Sequence, residues 1–242
     1  MVMAEATNHY FKHLGVSDGL SQVCIPSIYQ DELGAVWLGT TEGLNRYNGK
    51  DVRVFQPSES NHGLTNNEIN ELCGDKNGRM YIRSGNDLIK LDIYTEQFTC
   101  LRQKGVYGLF CKKDTLWVSC ADGIYYYTGQ GTELTFFARV QKGFVGRALY
   151  VDRETVWVVT RKYLVAISRE DPLRQEILLT LDKGNCILGD SSGNIWVGAW
   201  NGLYRVSPDR ETTAYVSHSG MGELSDNQVR CVLEDDFKHI WV

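Results

Sequence analysis

Five short clusters carry the residue types best suited to holding a polar ligand: Thr41-Glu42, Asn86-Asp87, Ala121-Asp122, Arg161-Lys162-Tyr163 and Trp200-Asn201. Flat aromatic rings cover the C–H faces of a polyhydroxylated molecule, while amides, carboxylates and cations satisfy its hydroxyls. Thr41, Glu42, Asn86, Asp122, Arg161, Lys162, Tyr163, Trp200 and Asn201 are therefore the candidate binding residues. The competing explanation is that such positions vary only because they are exposed, with Trp200 packed on a neighbouring loop. No set suggests catalysis. His62 and His218 occupy comparable places in two longer connections, 56–68 and 216–228. Histidine is a common metal ligand and titrates near neutrality. Neither has a fixed Asp or Glu companion, so ordinary loop positions are expected. Asp190-Ser-Ser-Gly-Asn194 opens like a calcium loop, yet it runs into Val-Gly-Ala-Trp where a closing carboxylate is required. Neither a metal nor a cofactor is expected.

An internal repeat must position these clusters. Asp31-Glu-Leu-Gly-Ala-Val-Trp37, Asp75-Lys-Asn-Gly-Arg-Met-Tyr81 and Asp190-Ser-Ser-Gly-Asn-Ile-Trp196 share one pattern, and weaker copies lead to Trp117, Trp157 and Trp241. The aromatic positions 37, 81, 117, 157, 196 and 241 are 36 to 45 residues apart, averaging about 41. Five of the six tryptophans fall on this one position, which composition alone would rarely produce. Each unit reads as four short strands: an entering run such as Ile69-Asn-Glu-Leu-Cys73, the aromatic strand, a Gly-Leu strand, and an outer strand such as Val52-Arg-Val-Phe55. No helical period persists over three turns.

Four strands in about 40 residues is the unit of a β-propeller blade. A four-stranded sheet has two apolar faces that only neighbouring sheets can cover, and the recurring aromatic supplies a large buried area between them. In the Asp-x-x-Gly turn, Asp accepts from the backbone two residues on, and Gly takes the positive φ of a tight hairpin. The predicted fold is all-β: a propeller of four-stranded antiparallel blades, five complete and a sixth begun. Alternating strand direction brings every second-to-third-strand turn, and hence all five clusters, to one face together with the blade connections.

Residues 1–8 read as a leading linker and 9–242 as propeller repeats. His9-Tyr-Phe-Lys-His13 matches an outer strand, expected to join a blade completed by the other end of the chain and so remove an open edge. The last unit stops inside its second strand, so the chain is expected to be part of a longer protein. Unfilled sheet edges also invite a second copy to pair there. A composition of 43% hydrophobic and 23% charged residues suits a substantial core. A formal net charge of -5 argues against a nucleic-acid partner. No run approaches the ~20 apolar residues that span a bilayer, and the N-terminus lacks the basic start and apolar centre of a signal peptide. The seven scattered cysteines include no C-x-x-C and are expected to be structural thiols.

Gly-Leu-Ser, an apolar strand, then Asp-x-x-Gly-x-Ile/Val-Trp-Val-Gly-Thr-x-x-Gly-Leu is a signature that this chain resembles at 19–47, 63–91 and 190–242: that of the two-component regulator propeller repeats. The likeness weakens over 100–180, where Trp157-Val-Val-Thr-Arg-Lys-Tyr-Leu164 lacks the second Gly. In the second unit Arg83 replaces the Gly after Tyr81-Ile82. The resemblance implies the periplasmic sensor region of a Bacteroides-type hybrid histidine kinase, with a seven-bladed wheel, a membrane anchor and kinase domains elsewhere in the parent chain. It also implies oligosaccharides from polysaccharides as ligands and control of carbohydrate-utilisation genes as output. A sialidase-type glycoside hydrolase is the alternative; it needs a carboxylate pair or a Tyr nucleophile, with arginines for an acidic sugar. Arg83, Arg147 and Arg161 are available, but no turn unites Tyr, Glu and Arg. A protein-interaction scaffold is the third reading.

Overall fold

The computed structural model describes residues 13–57, 63–217 and 224–242. The leading strand expected at 9–13 falls almost wholly outside these residues, as do His62 and His218. Five four-stranded antiparallel meanders occupy 27–55, 69–102, 106–138, 146–180 and 186–215, and a two-stranded ribbon, Leu233–Glu234 with Ile240–Trp241, begins a sixth. Two short 3-10 turns, Val16–Asp18 and Gln141–Gly143, are the helical segments among the described residues. Five full blades and part of another, as the repeat predicts, make an open ring.

The first strands of successive blades, Ser27–Gln30, Ile69–Gly74, Val106–Lys112, Gly146–Val151 and Cys186–Gly189, lie side by side and line the axis. The core consists of four separate apolar layers, one between each pair of blades. Trp37, Leu44 and Phe55 meet Ile69, Met80 and Ile82. Tyr81 and Leu88 meet Leu109, Leu116 and Val118. Trp117 and Ile124 meet Leu149, Val156 and Val158, and Trp157 and Leu164 meet Ile195 and Val197. Each layer thus contains one recurring aromatic, which buries its ring against the following blade. Burial of such rings and their aliphatic neighbours is the main favourable term, at roughly 25 cal/mol per Å² of apolar surface.

The last two tryptophans of the recurring position depart from that expectation. Trp196 is half-buried and Trp241 is 61% exposed. Both stand where no complete sheet packs on the outer side. Trp196 instead stacks on Tyr215 of its own blade, with ring centroids 5.8 Å apart.

The irregular glycines also have a packing cause. At the third position of the Trp-x-Gly run, a Cβ on Gly39 would come 2.8 Å from Ile69, and one on Gly198 would come 2.5 Å from Val229. Where that glycine is missing, the following blade supplies one. Ser119 faces Gly146, whose added Cβ would lie 2.6 Å from the serine Oγ, and Val159 faces Gly184 at 2.7 Å. Contacts this short force a neighbour to move in a close-packed interior. Arg83, in the second blade, resolves the position differently by sending its side chain to the axis.

Candidate functional site

The turns between second and third strands share one face with the blade connections, and backbone hydrogen bonds fasten each turn to the connection beside it. Gly43 N donates to the Asn67 carbonyl at 2.7 Å, Gly85 N to Glu68 at 2.7 Å, and Ala121 N to Gly105 at 2.8 Å. Further round the arc, Gly184 N donates to Arg161 at 3.1 Å and Trp200 N to Asp182 at 2.9 Å. Side chains on these turns therefore sit on a rigid rim.

Three cavities open on this face. One of 460 Å³ runs down the axis between the first strands, past Glu71, Arg83, Tyr107, Arg147 and Arg230. A second, of 780 Å³, forms its mouth and is walled by Cys24–Pro26, Arg147, Arg161, Lys183, Trp200 and Arg230. A recess of 370 Å³ adjoins it, lined by Tyr107, Phe144, Arg147, Arg161 and Lys162. Arg147 borders all three, so they are branches of one space. A depression of 920 Å³ lies on the opposite face, among Arg153, Glu154, Arg169, Glu176 and Arg210. There, cations and carboxylates are interspersed, and three of the charges are engaged with protein. Arg210 pairs with Glu176, and Arg169 donates to the carbonyls of Asp152 and Arg153.

Of the nine residues expected to bind, Arg161, Lys162 and Trp200 border the mouth or its recess. Tyr163 is half-buried behind the recess and packs on Phe144, with ring centroids 4.9 Å apart. Asn201 lies beside Trp200, where its Oδ1 accepts from the Asp182 amide at 3.0 Å and holds the connection. Asp122 accepts from Arg102 and from the Tyr125 hydroxyl, each at 2.8 Å. Partial burial opposes its charge, but these bonds hold its carboxyl below the usual aspartate range. Thr41, Glu42 and Asn86 stand on turns around the same face but border none of the three cavities.

Sequence reasoning missed Arg230, Lys183, Tyr107 and Glu71, and considered Arg147 and Arg83 only as part of a catalytic set. They come from strand starts and connections of different blades, so no spacing links them. Lys183 places its Nζ 3.5 Å from the centroid of the Trp200 ring, a cation–π contact that fixes both at the mouth. Glu71 pairs with Arg83 at 3.3 Å. Burial pushes its carboxyl up to about 7, against the pull of Arg83 and the Leu109 amide.

Asp190 illustrates why the repeat's carboxylates are not metal ligands. Its Oδ1 accepts from the amides of Ser192 and Asn194, and its Oδ2 accepts from Asn194 Nδ2 and Trp196 Nε1, at 2.8 to 2.9 Å. All four lone-pair directions are taken by N–H donors.

Blades of four-stranded meanders around an axial channel, with their turns gathered at one mouth, define a β-propeller. Residues 19–42 match the family model of the two-component regulator propeller. The extracellular domain of a hybrid two-component system from B. thetaiotaomicron superposes with a TM-score of 0.76 at 20% identity, over 95% of this chain and 40% of that one. Virginiamycin B lyase from Staphylococcus aureus superposes with a TM-score of 0.62 at 12% identity, over 80% of this chain and 70% of that one. Histidine kinase P4 of Formosa agariphila is 38% identical over 53 residues, which is 22% of this chain and 4% of the kinase. The chain spans less than half the length of these two-component relatives.

Proposed function

We propose that this chain is the extracytoplasmic, ligand-sensing part of a hybrid two-component sensor histidine kinase. Its parent is membrane-anchored, and the ligand is an oligosaccharide released from a polysaccharide whose use the parent controls. The carrying observation is the convergence of Arg161 and Trp200, turn residues of two successive blades, on one mouth of 780 Å³. That volume lies within the range of about 300–1,000 Å³ typical of small-molecule sites, and it combines an aromatic face with hydrogen-bond donors. The repeat family and the likeness to an extracellular two-component domain support the sensing role.

Binding is favoured over hydrolysis by the carboxylates. Two flank the scissile bond in most glycosidases, whereas Glu71 is the one carboxylate among the described residues that borders the axial cavity and mouth, and it is already paired with Arg83. Titration calorimetry of the chain against an oligosaccharide library tests the reading. At least one member is expected to bind, and Trp200→Ala to weaken it about tenfold with an unchanged melting temperature. Failure of every oligosaccharide to bind, or release of chromophore from aryl glycosides, overturns it.

A further inference from the structure

We propose that the oligosaccharide taken at this mouth is acidic, carrying uronate or sulfate groups. This inference rests on the binding reading above and specifies its ligand class. The chain as a whole has an excess of acidic residues, with a formal net charge of -5. The mouth reverses that sign. Arg147, Arg161, Lys183 and Arg230 border the 780 Å³ cavity, no carboxylate among the described residues does, and Lys162 stands in the adjoining recess.

The charge there is also unspent. Elsewhere, Arg46 and Arg53 are matched to Glu96, Arg79 to Asp75, Arg102 to Asp122 and Arg210 to Glu176, whereas the cations of the mouth stand together without such a partner. Among the described residues, no Asp or Glu lies within ion-pair distance of Arg147, Arg161, Lys162, Lys183 or Arg230. The four at the mouth itself, Arg147, Arg161, Lys183 and Arg230, come from separate stretches: a first strand, a turn, and the connections before and after the fifth blade. Holding like charges together without counterions is unfavourable, and a bound anion relieves it.

The donor chemistry narrows the ligand further. Arginine and lysine donate only, and the arginine fork matches a carboxylate or sulfate with two parallel bonds. The Lys183–Trp200 pair adds an aromatic surface beside the cations, which an inorganic ion does not use and a sugar ring does. A neutral saccharide would leave the cations unmatched, so discrimination between acidic and neutral sugars follows from the site itself.

Calorimetry at low and moderate salt with three size-matched panels tests this: oligogalacturonates, sulfated galactan oligosaccharides, and neutral galactan oligosaccharides. Acidic members are expected to bind at least tenfold more tightly than neutral ones, with affinity falling as salt rises. Comparison of the first two panels tells whether carboxylate or sulfate is the group recognised. Arg147→Gln and Arg230→Gln should each lower affinity about tenfold and flatten the salt dependence, whereas Arg230→Lys keeps the salt dependence while losing the two-bond fit of the fork. Neutral oligosaccharides bound as tightly as acidic ones overturn this inference and leave the sensing reading standing. No saccharide bound from any panel overturns the sensing reading and this inference with it.

Discussion

Asp31 Oδ2 accepts a hydrogen bond from the indole Nε1 of Trp37 at 2.8 Å, while its Oδ1 takes the amides of Leu33 and Ala35 at 3.0 and 2.9 Å. One buried carboxylate therefore closes the hairpin and orients the ring that fills the layer against the next blade. The same link joins Asp152 to Trp157, Asp190 to Trp196 and Asp235 to Trp241, at 2.6 to 2.8 Å. In the second blade, where Tyr81 has no such N–H, Arg79 takes the place of the indole on Asp75. Asp31→Ala strands the buried indole donor and two amides. It is expected to cost about 3 kcal/mol, since hydrogen bonds to charged groups contribute roughly 1.5–3 kcal/mol each. Trp37→Phe should cost much less in the Asp31→Ala background than alone, and additive losses in urea unfolding would refute the coupling.

The recurring aromatics should not be equivalent in stability. Trp157 is buried between the fourth and fifth blades, and its truncation to Ala should cost about 3–5 kcal/mol. Trp196→Ala should cost clearly less, because that ring has the outer face of its sheet open. Trp241, at 61% exposure, should change stability by under about 1 kcal/mol. Denaturant midpoints of the three variants check the order, and equal losses would contradict the layer assignment.

Much of this architecture is legible in the sequence because each blade repeats the same local chemistry. The Asp-x-x-Gly turn is an example, with Gly34 and Gly193 at φ of 86° and 85°. Less legible was the second carboxylate oxygen, because an Asp six residues before a Trp carries no known turn signal. The site was half-visible. Turn position pointed to Arg161 and Trp200, since strand order alone fixes which turns share a face. Arg147, Lys183 and Arg230 escaped because they converge only when blades wrap an axis. Their separation in sequence contains no trace of that wrapping.

Gly146 and Ser119 make a reciprocal pair across the third and fourth blades. Ser119 Oγ donates to the Gly146 carbonyl at 2.9 Å, and a methyl at position 146 would meet both that same Oγ and Val158 Cγ1 at 2.6 Å. Gly146→Ala is expected to destabilise by about 1–3 kcal/mol through overpacking. Ser119→Gly should recover part of that loss in the double variant, although it weakens the wild type. A double variant no more stable than Gly146→Ala would show that the clash lies elsewhere.

Stability should pass through a maximum near pH 5. On the acid side, Asp190 and Asp235 accept several N–H bonds that outweigh their partial desolvation and hold their carboxyls below the usual range, Asp235 at about 2. Their contribution is complete above the unfolded value near ~4 and is lost as pH falls through the folded values. On the neutral side, Glu71 is raised to about 7 by burial. It binds its proton more tightly when folded, so stability declines as pH rises from ~4.5 through 7. Melting temperatures from pH 3 to 8 should show both limbs. Asp190→Asn should shallow the acid limb, and Glu71→Gln should remove the neutral decline.

The same carboxyl should make ligand affinity depend on pH. Glu71 faces Arg83 at 3.3 Å and the Leu109 amide, with Cys73 two residues along its strand and Arg147 and Arg230 bordering the same axial cavity. Below about 7 it is mainly neutral, and the cations of the channel act undiminished on an acidic ligand at the mouth. Above that value its negative charge offsets one of them. Affinity for an acidic oligosaccharide is therefore expected to fall as pH rises from 6 to 8, on the order of threefold to tenfold for one partly screened charge. Glu71→Gln should bind with little change across that window and more tightly than wild type at pH 8. Should calorimetry at pH 6, 7 and 8 give the same profile for both proteins, the channel carboxyl has no part in ligand recognition.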